Sequence, residues 1–408
     1  MNNCSKAAKD NLIYILLVLM ATFLFADRYT GYAVVFLAVT YLCVSGKNPK
    51  LHKTSMLFVF LSILALTAIT FLLAMFPSFS DLADGSVSGK EICRLIIYTI
   101  IAECLMVIRV DLKAYIKIWR VLLIFIVAIA VIQYTKIFDV TAVLKSIYGD
   151  SIQYQNTTAA DLASFRSGSV FVNPNVFACF LVAMLGSYLF ILQQTKENLI
   201  RKLITFILLG IGFILSGSRT GFVLGIAIII AYMVVGSKRN RRRLFGNLVL
   251  LLGGLVLLAV VASLMGYIEL SDIFSLRIFQ VKAGTGNSIK IKLGIFAALI
   301  SDMNGMNLIF GYGPFNYAAN SNLLVDFDFG YFATYFGFCG MVVYLFLLHA
   351  IYRWGDRSLC GRRFLNLVFL IIAVLFGLTA GVYFNLRIFS IYMLVFMPAL
   401  FKGDDQVA

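Results

Sequence analysis

One short segment combines the residue types that bind an anion. It runs from Ser216 to Gly221 as Ser-Gly-Ser-Arg-Thr-Gly. Its two glycines permit a tight turn with exposed backbone amides, Ser216 and Ser218 add hydroxyl donors, and Arg219 adds a guanidinium group. Such a turn would hold a phosphate or a pyrophosphate. An ordinary hairpin turn whose arginine reaches lipid headgroups accounts for the same residues equally well.

A second polar segment, 165–177, carries Arg166 among serines and a glycine. Asn173 followed by Pro174 is a good helix start, because asparagine caps free backbone amides and proline suits the first helical position. Capping accounts for Pro174 but not for Arg166. Arg166 could reach the same anion site as Arg219.

Two carboxylates, Asp326 and Asp328, follow the segment Gly-Tyr-Gly-Pro at 311–314 and precede an apolar run. Either could act as a general base toward a sugar hydroxyl. Because they are two residues apart, a helix would point them in different directions, and we expect the base to be Asp328. Capping of the following helix is the alternative role for this residue. Glu103 lies deep in an apolar run, where a packing hydrogen bond explains it more readily than a transport role.

The elements that position these residues must lie in a membrane. Of the 408 residues, 61% are hydrophobic and only 13% are charged, so lipid is the solvent for most of the surface. The formal net charge of +15 comes in short clusters between apolar runs, which favours membrane topology over nucleic-acid binding. The seven cysteines are scattered without metal-ligand spacing, and we expect neither a metal nor a cofactor.

Apolar runs long enough to span a bilayer predict an all-α, polytopic bundle of about 12 transmembrane helices in one domain, 1–408. They lie at about 11–26, 31–46, 55–76, 91–108, 119–137, 173–193, 203–218, 220–236, 244–266, 329–350, 364–382 and 386–401. Basic residues concentrate in alternate loops, which places both termini in the cytoplasm. Two long external segments remain, 138–172 and 267–328, and loops of that length are usually functional.

This topology leaves several arginines on the external side, where positive charge is normally avoided. An anionic partner such as a phosphate or pyrophosphate would account for them. These arginines are Arg28, Arg94, Arg166, Arg219, Arg277 and Arg387.

The ordered motifs resemble the O-antigen polymerase (Wzy) and O-antigen ligase (WaaL) superfamily. The resemblance covers about residues 160–345 and rests on five segments in sequence. They are Val172-Asn-Pro-Asn-Val176, Ser216-Gly-Ser-Arg-Thr-Gly221, Gly311-Tyr-Gly-Pro314, Asp328-Phe-Gly-Tyr331 and Gly337-Phe-Cys-Gly340.

The resemblance implies a C-type glycosyltransferase that takes a glycan from undecaprenyl diphosphate, with two large periplasmic loops and its active site facing the periplasm. Arg166 and Arg219 would then hold the leaving pyrophosphate, with Arg277 and Arg387 assisting. Candidate residues for binding the glycan or the acceptor are Asn173, Asn175, Tyr312, Asn316 and Tyr331. The expected location is the bacterial inner membrane, with membrane lipid, a chain-length regulator and a flippase as partners.

Ligases of the superfamily are proposed to use an external histidine as base. The two histidines here, His52 and His349, lie in or near segments that we expect to be cytoplasmic. This difference favours a polymerase of a repeat-unit polysaccharide such as O-antigen or capsule. A ligase remains the alternative within the class, and a lipid-linked oligosaccharide flippase is the alternative from another class.

Overall fold

The computed structural model describes most of the apolar segments and part of the connections. The described residues are 2–23, 55–73, 75–76, 85–108, 110, 112–136, 138–148, 166–171, 173–194, 197–235, 246, 294, 296–298, 300–303, 305–314, 327–353, 362–377, 381–383 and 385–401. Among these residues all regular structure is helical, which confirms the predicted all-α class.

The predicted apolar runs and the observed helices agree closely where both can be compared. The helices are α1 (Asn2–Phe23), α2 (Ser55–Leu73), α3 (Gly85–Val107), α4 (Leu112–Thr135), α5 (Val140–Tyr148), α6 (Pro174–Gln194), α7 (Leu199–Ser216), α8 (Arg219–Val235), α9 (Gly305–Phe310), α10 (Asp328–Arg353), α11 (Arg362–Ile371) and α12 (Leu386–Phe401). A 3-10 turn at Ser169–Phe171 precedes α6, and a π-helix at Ile372–Phe376 continues α11. The run predicted at 31–46 lies outside the described residues, and only residue 246 of the run predicted at 244–266 is described.

Five helices in the described part of the chain are long and apolar enough to cross a membrane. Their spanning segments are Met56–Leu73, Lys113–Thr135, Pro174–Leu192, Leu199–Ser216 and Asp328–Ala350. Shorter apolar helices occupy Arg219–Val235, Phe364–Phe376 and Leu386–Phe396. The total of about 12 spans stays a prediction.

The chain divides into two compact units. The first unit comprises Met1–Arg109, Lys282–Ser358 and Phe369–Ala408, and the second comprises Val110–Val281 and Leu359–Val368. Within the first unit α2 packs on α3 and α10, while α12 packs on α1 and α3. Within the second unit α6 packs on α7 and α8, and α4 packs on α7.

Helix α6 is the core of the second unit, since 83% of its spanning segment is buried. Small residues bring its neighbours close to it. A Cβ atom added to Gly221 of α8 would stand 2.5 Å from the Cβ atom of Ala178 on α6. A Cβ atom added to Gly212 of α7 would stand 2.8 Å from a methyl group of Leu181. This close approach sets the position of the α7–α8 turn against the start of α6.

Helix α10 of the first unit is broken at Gly337, whose φ of 59° and ψ of −147° are not helical. The break frees the carbonyl groups of Thr334 and Tyr335, which cannot bond to amides one turn ahead. The Gly-Tyr-Gly-Pro segment supplies the missing donors. Tyr312 N–H donates to Thr334 O at 2.8 Å, and Gly313 N–H donates to Tyr335 O at 3.0 Å.

Glycine is required on both sides of this contact. Gly311 has a φ of +76°, and a Cβ atom there would stand 2.4 Å from the backbone of Tyr335. A Cβ atom on Gly337 would stand 2.7 Å from the carbonyl oxygen of Ile309. Two of the sequence motifs behind the family resemblance, 311–314 and 337–340, therefore form one structural joint.

We expect Gly337→Ala to destabilise the protein. The strained backbone alone costs about 1–3 kcal/mol for a residue with a side chain, and the clash with Ile309 adds to that cost. The thermal unfolding midpoint of the detergent-purified protein should fall by several degrees. Gly89→Ala is the matched control, because nothing lies within 4 Å of a Cβ atom there. Equal midpoints for the two variants would contradict the proposed joint.

Candidate anion site and candidate carboxylates

The turn between α7 and α8 is built by its own small residues. Gly217 ends α7 in the left-handed conformation, with φ 57° and ψ 19°, and its N–H donates to Ile214 O. Ser216 Oγ donates to Phe213 O at 2.8 Å. Ser218 Oγ accepts from Gly221 N–H at 3.3 Å, so Ser218 caps α8 at its start. The turn therefore places Arg219, which is half-buried, at the first position of α8.

Asn175 joins this turn to the segment before α6. Its Oδ1 accepts from Arg166 Nη2 at 2.9 Å and from Ser218 Oγ at 3.2 Å. Asn173 acts as the predicted cap of α6, since its Oδ1 accepts from Asn175 N–H at 2.8 Å. Arg166 and Ser218, predicted separately as anion ligands, thus share one acceptor immediately beside Arg219.

The Arg166 segment is fastened to two helices of the same unit. Ser167 N–H donates to Leu215 O at 2.8 Å, and Ser167 Oγ donates to Gln133 Oε1 on α4. Ser169 Oγ donates to Ile126 O at 2.6 Å. These bonds fix the backbone beside Arg166 against the ends of α4 and α7.

Sequence reasoning missed Gln133. The feature of the sequence that could have indicated it is a single amide side chain near the end of a predicted apolar span. Gln133 is only 2% exposed, and its Nε2 has no hydrogen-bond acceptor in the described part of the chain. A buried amide beside the arginine segment is a further polar group at this site.

The arrangement is suited to binding a phosphate group. Guanidinium groups hold phosphate oxygens through paired, charge-assisted hydrogen bonds. The serine hydroxyls predicted as direct ligands are buried and already bonded within the protein, so they shape the turn. The turn and its contact with Asn175 position two cationic groups, Arg166 and Arg219.

In the first unit, Asp328 binds backbone outside its own helix. Its Oδ2 accepts from Val382 N–H at 2.9 Å, and both oxygens accept from Tyr383 N–H at 3.0 Å. The side chain is 1% exposed. Asp328 therefore ties the start of α10 to the connection that precedes α12. Its assignment as the base stays a prediction.

The predicted glycan-binding tyrosines of this unit are both buried. Tyr331 donates its hydroxyl to Glu91, and Glu91 forms an ion pair with Arg94 at 2.7 Å. Tyr312 lies in the joint described above. Burial, and then the charge of Asp302, raise the pKa of the Tyr312 hydroxyl, which therefore stays protonated at neutral pH.

The remaining predicted residues are distributed as follows. Arg387 donates to the Thr22 carbonyl oxygen, which ties the start of α12 to the end of α1. The positions that lie outside the described residues are Arg28, Arg277, Asn316 and Asp326. In the second unit, the described site residues thus lie around Asn175; Tyr312, Asp328, Tyr331 and Arg387 belong to the first unit.

Helices that are long and apolar enough to span a bilayer define the chain as an all-α membrane protein. Residues 204–334 match the family model described as O-antigen ligase. The matched region contains the Arg219 turn, the Gly-Tyr-Gly-Pro segment and the start of α10. It confirms the resemblance to the O-antigen ligase and polymerase superfamily, whose members act on lipid-linked glycans. None of the curated proteins compared with the chain matches it.

Asp328→Asn should lower the thermal unfolding midpoint. The substituted amide keeps one acceptor but sets its NH₂ group against a buried backbone donor, a cost of about 1–3 kcal/mol. Asp302→Asn is the control, since that carboxylate is exposed. An Asp328→Asn protein with an unchanged midpoint and no glycan transfer would instead support the role of general base.

Proposed function

We propose that this protein is a polysaccharide polymerase. It transfers a growing glycan from an undecaprenyl diphosphate carrier onto a new lipid-linked repeat unit. The observation that carries this proposal is the shared contact of Arg166 and Ser218 on Asn175, beside Arg219. The family match over residues 204–334 supports glycan transfer of the polymerase or ligase kind.

The chemistry needs little more than charge stabilisation, because a polyprenyl diphosphate is already an activated donor. The bond between the anomeric carbon and the diphosphate oxygen breaks, and its electron pair leaves on the diphosphate. Arg166 and Arg219 stabilise that developing charge. An acceptor hydroxyl forms the new glycosidic bond and gives up its proton.

Histidine placement favours a polymerase over a ligase. The chain has two histidines, and neither lies in residues 138–172 or 267–328. His349 is exposed near the C-terminal end of α10, 21 residues after Asp328. A polymerase in the inner membrane with both termini in the cytoplasm fits this placement. A flippase and a chain-length regulator would supply its substrate and set its product length.

Arg219→Ala should abolish polymer while the protein still inserts in the membrane. Loss of one preorganised donor to a developing anion costs about 100-fold or more in rate. Surface glycan from cells carrying the variant should show single repeat units in place of the long ladder. Arg219→Lys should fail as well, since an ammonium group cannot make the paired contact.

Arg201→Ala is the matched control, because Arg201 is an exposed arginine at the other end of α7. It should keep the full ladder. A normal ladder from Arg219→Ala would overturn the anion-binding role. In cells that lack the protein, full-length polymer left on its lipid carrier would indicate a ligase, and single repeats held on the cytoplasmic face would indicate a flippase.

A further inference from the structure

A second charged cluster lies in the first unit. It has no role in stabilising the leaving diphosphate. Glu91 on α3 is 2% exposed. It pairs with Arg94 at 2.7 Å and accepts a hydrogen bond from the Tyr331 hydroxyl on α10. Tyr383 packs on Tyr98, with ring centroids 5.6 Å apart, and on Tyr331, with ring centroids 6.3 Å apart.

Stability does not account for this cluster. A buried ion pair seldom stabilises a protein more than apolar side chains of the same volume would. The Tyr383 hydroxyl adds a second cost, because it is buried and has no hydrogen-bond partner among the residues that the structure describes. Buried hydroxyl groups are nearly always bonded, so an exception calls for a ligand or a function.

The Tyr383 hydroxyl is an available donor, and the charge of Glu91 acts on it. Its ring centroid lies 6.3 Å from that of Tyr331, whose own hydroxyl bonds to Glu91. Tyr383 lies in the connection that precedes α12. Burial, and then the negative charge of Glu91, raise the pKa of Tyr383 well above its ordinary value, so the hydroxyl keeps its proton.

Glu91 and Asp328 differ in how readily a ligand could reach their oxygens. Asp328 is held by two backbone amides, which cannot move aside without moving the chain. The partners of Glu91 are side chains, and the Tyr331 hydroxyl can give up its place to another hydroxyl. The Arg94 side chain is 20% exposed, so the cluster reaches the surface at that residue.

We propose that Glu91, Tyr331 and Tyr383 form the acceptor-sugar subsite of this protein. A hydroxyl of the acceptor's terminal sugar replaces the Tyr331 hydroxyl on Glu91, and Tyr383 donates to a neighbouring sugar oxygen. The tyrosine rings offer apolar faces to the sugar ring. This assignment rests on the proposed polymerase function and names the residues that bind its acceptor.

In the transfer step, Glu91 takes the proton of the acceptor hydroxyl. The oxygen so released attacks the anomeric carbon of the donor glycan, and the bond from that carbon to the diphosphate breaks with its electrons leaving on the diphosphate. The ion pair with Arg94 holds the Glu91 carboxylate in place before the step. Glu91 is thus the catalytic residue of the subsite, and Arg94 is a positioning residue.

The test measures glycan transfer by the purified full-length protein between lipid-linked repeat units, at varied acceptor concentration. Glu91→Gln should lower kcat by about 100-fold or more, as expected for loss of a general base. Because this change removes the counter-charge of the half-buried Arg94, the double variant Glu91→Gln/Arg94→Gln is measured beside it. The double variant should recover the thermal midpoint and stay inactive. Recovery of activity in the double variant would show a purely structural pair and overturn the proposal.

Tyr383→Phe tests the subsite through the KM for the acceptor, which a purely structural role of Tyr383 would leave unchanged. Removing a hydroxyl without a partner should leave the thermal midpoint unchanged or raised. The KM for the acceptor should rise about tenfold, the equivalent of one lost hydrogen bond, while the KM for the donor stays constant. An unchanged acceptor KM would overturn the role of Tyr383.

Arg219→Ala in the same assay separates the two proposals. Full activity of Glu91→Gln beside an inactive Arg219→Ala would overturn the acceptor subsite and leave the polymerase standing. Transfer that survives Arg219→Ala but fails in Glu91→Gln would support the acceptor subsite and overturn the anion-binding role of Arg219. A wild-type protein that transfers no glycan would overturn both the polymerase and its acceptor subsite.

Discussion

Lipid offers no hydrogen bonds, so polar groups at membrane depth must find partners within the protein. Much of the described architecture follows from this constraint. Helix α10 cannot be interrupted at Gly337 unless other donors reach the freed carbonyl groups of Thr334 and Tyr335, and the Gly-Tyr-Gly-Pro segment provides them. The same rule explains why the connection before α12 is anchored on the Asp328 carboxylate.

The same constraint gives the arginines distinct tasks. Arg94 is balanced by a carboxylate, and Arg387 satisfies a carbonyl group at the end of another helix. Arg166 donates to the side-chain oxygen of Asn175, which also accepts from Ser218, so this contact orients the guanidinium group beside the turn that carries Arg219.

Sequence patterns predict the helices well, because apolar length, the Asn173-Pro174 start and the Gly217 end are local signals. They predict the polar contacts less well. Tyr331 bonds to Glu91 across 240 residues, and Asp328 bonds to the chain 54 residues ahead. No local pattern encodes such pairs. Glu91 lies at the edge of a predicted apolar run, where nothing local marks it, whereas Glu103 stands out because it lies deep within one.

The break in α10 also bears on how the chain is made. The donors that complete the broken helix, at Tyr312 and Gly313, precede their acceptors by about twenty residues. They therefore leave the ribosome before the carbonyl groups that they bond to. A helix with unsatisfied carbonyl groups would be a poor substrate for membrane insertion on its own. The order of synthesis thus lets the interrupted helix enter the membrane together with the segment that completes it.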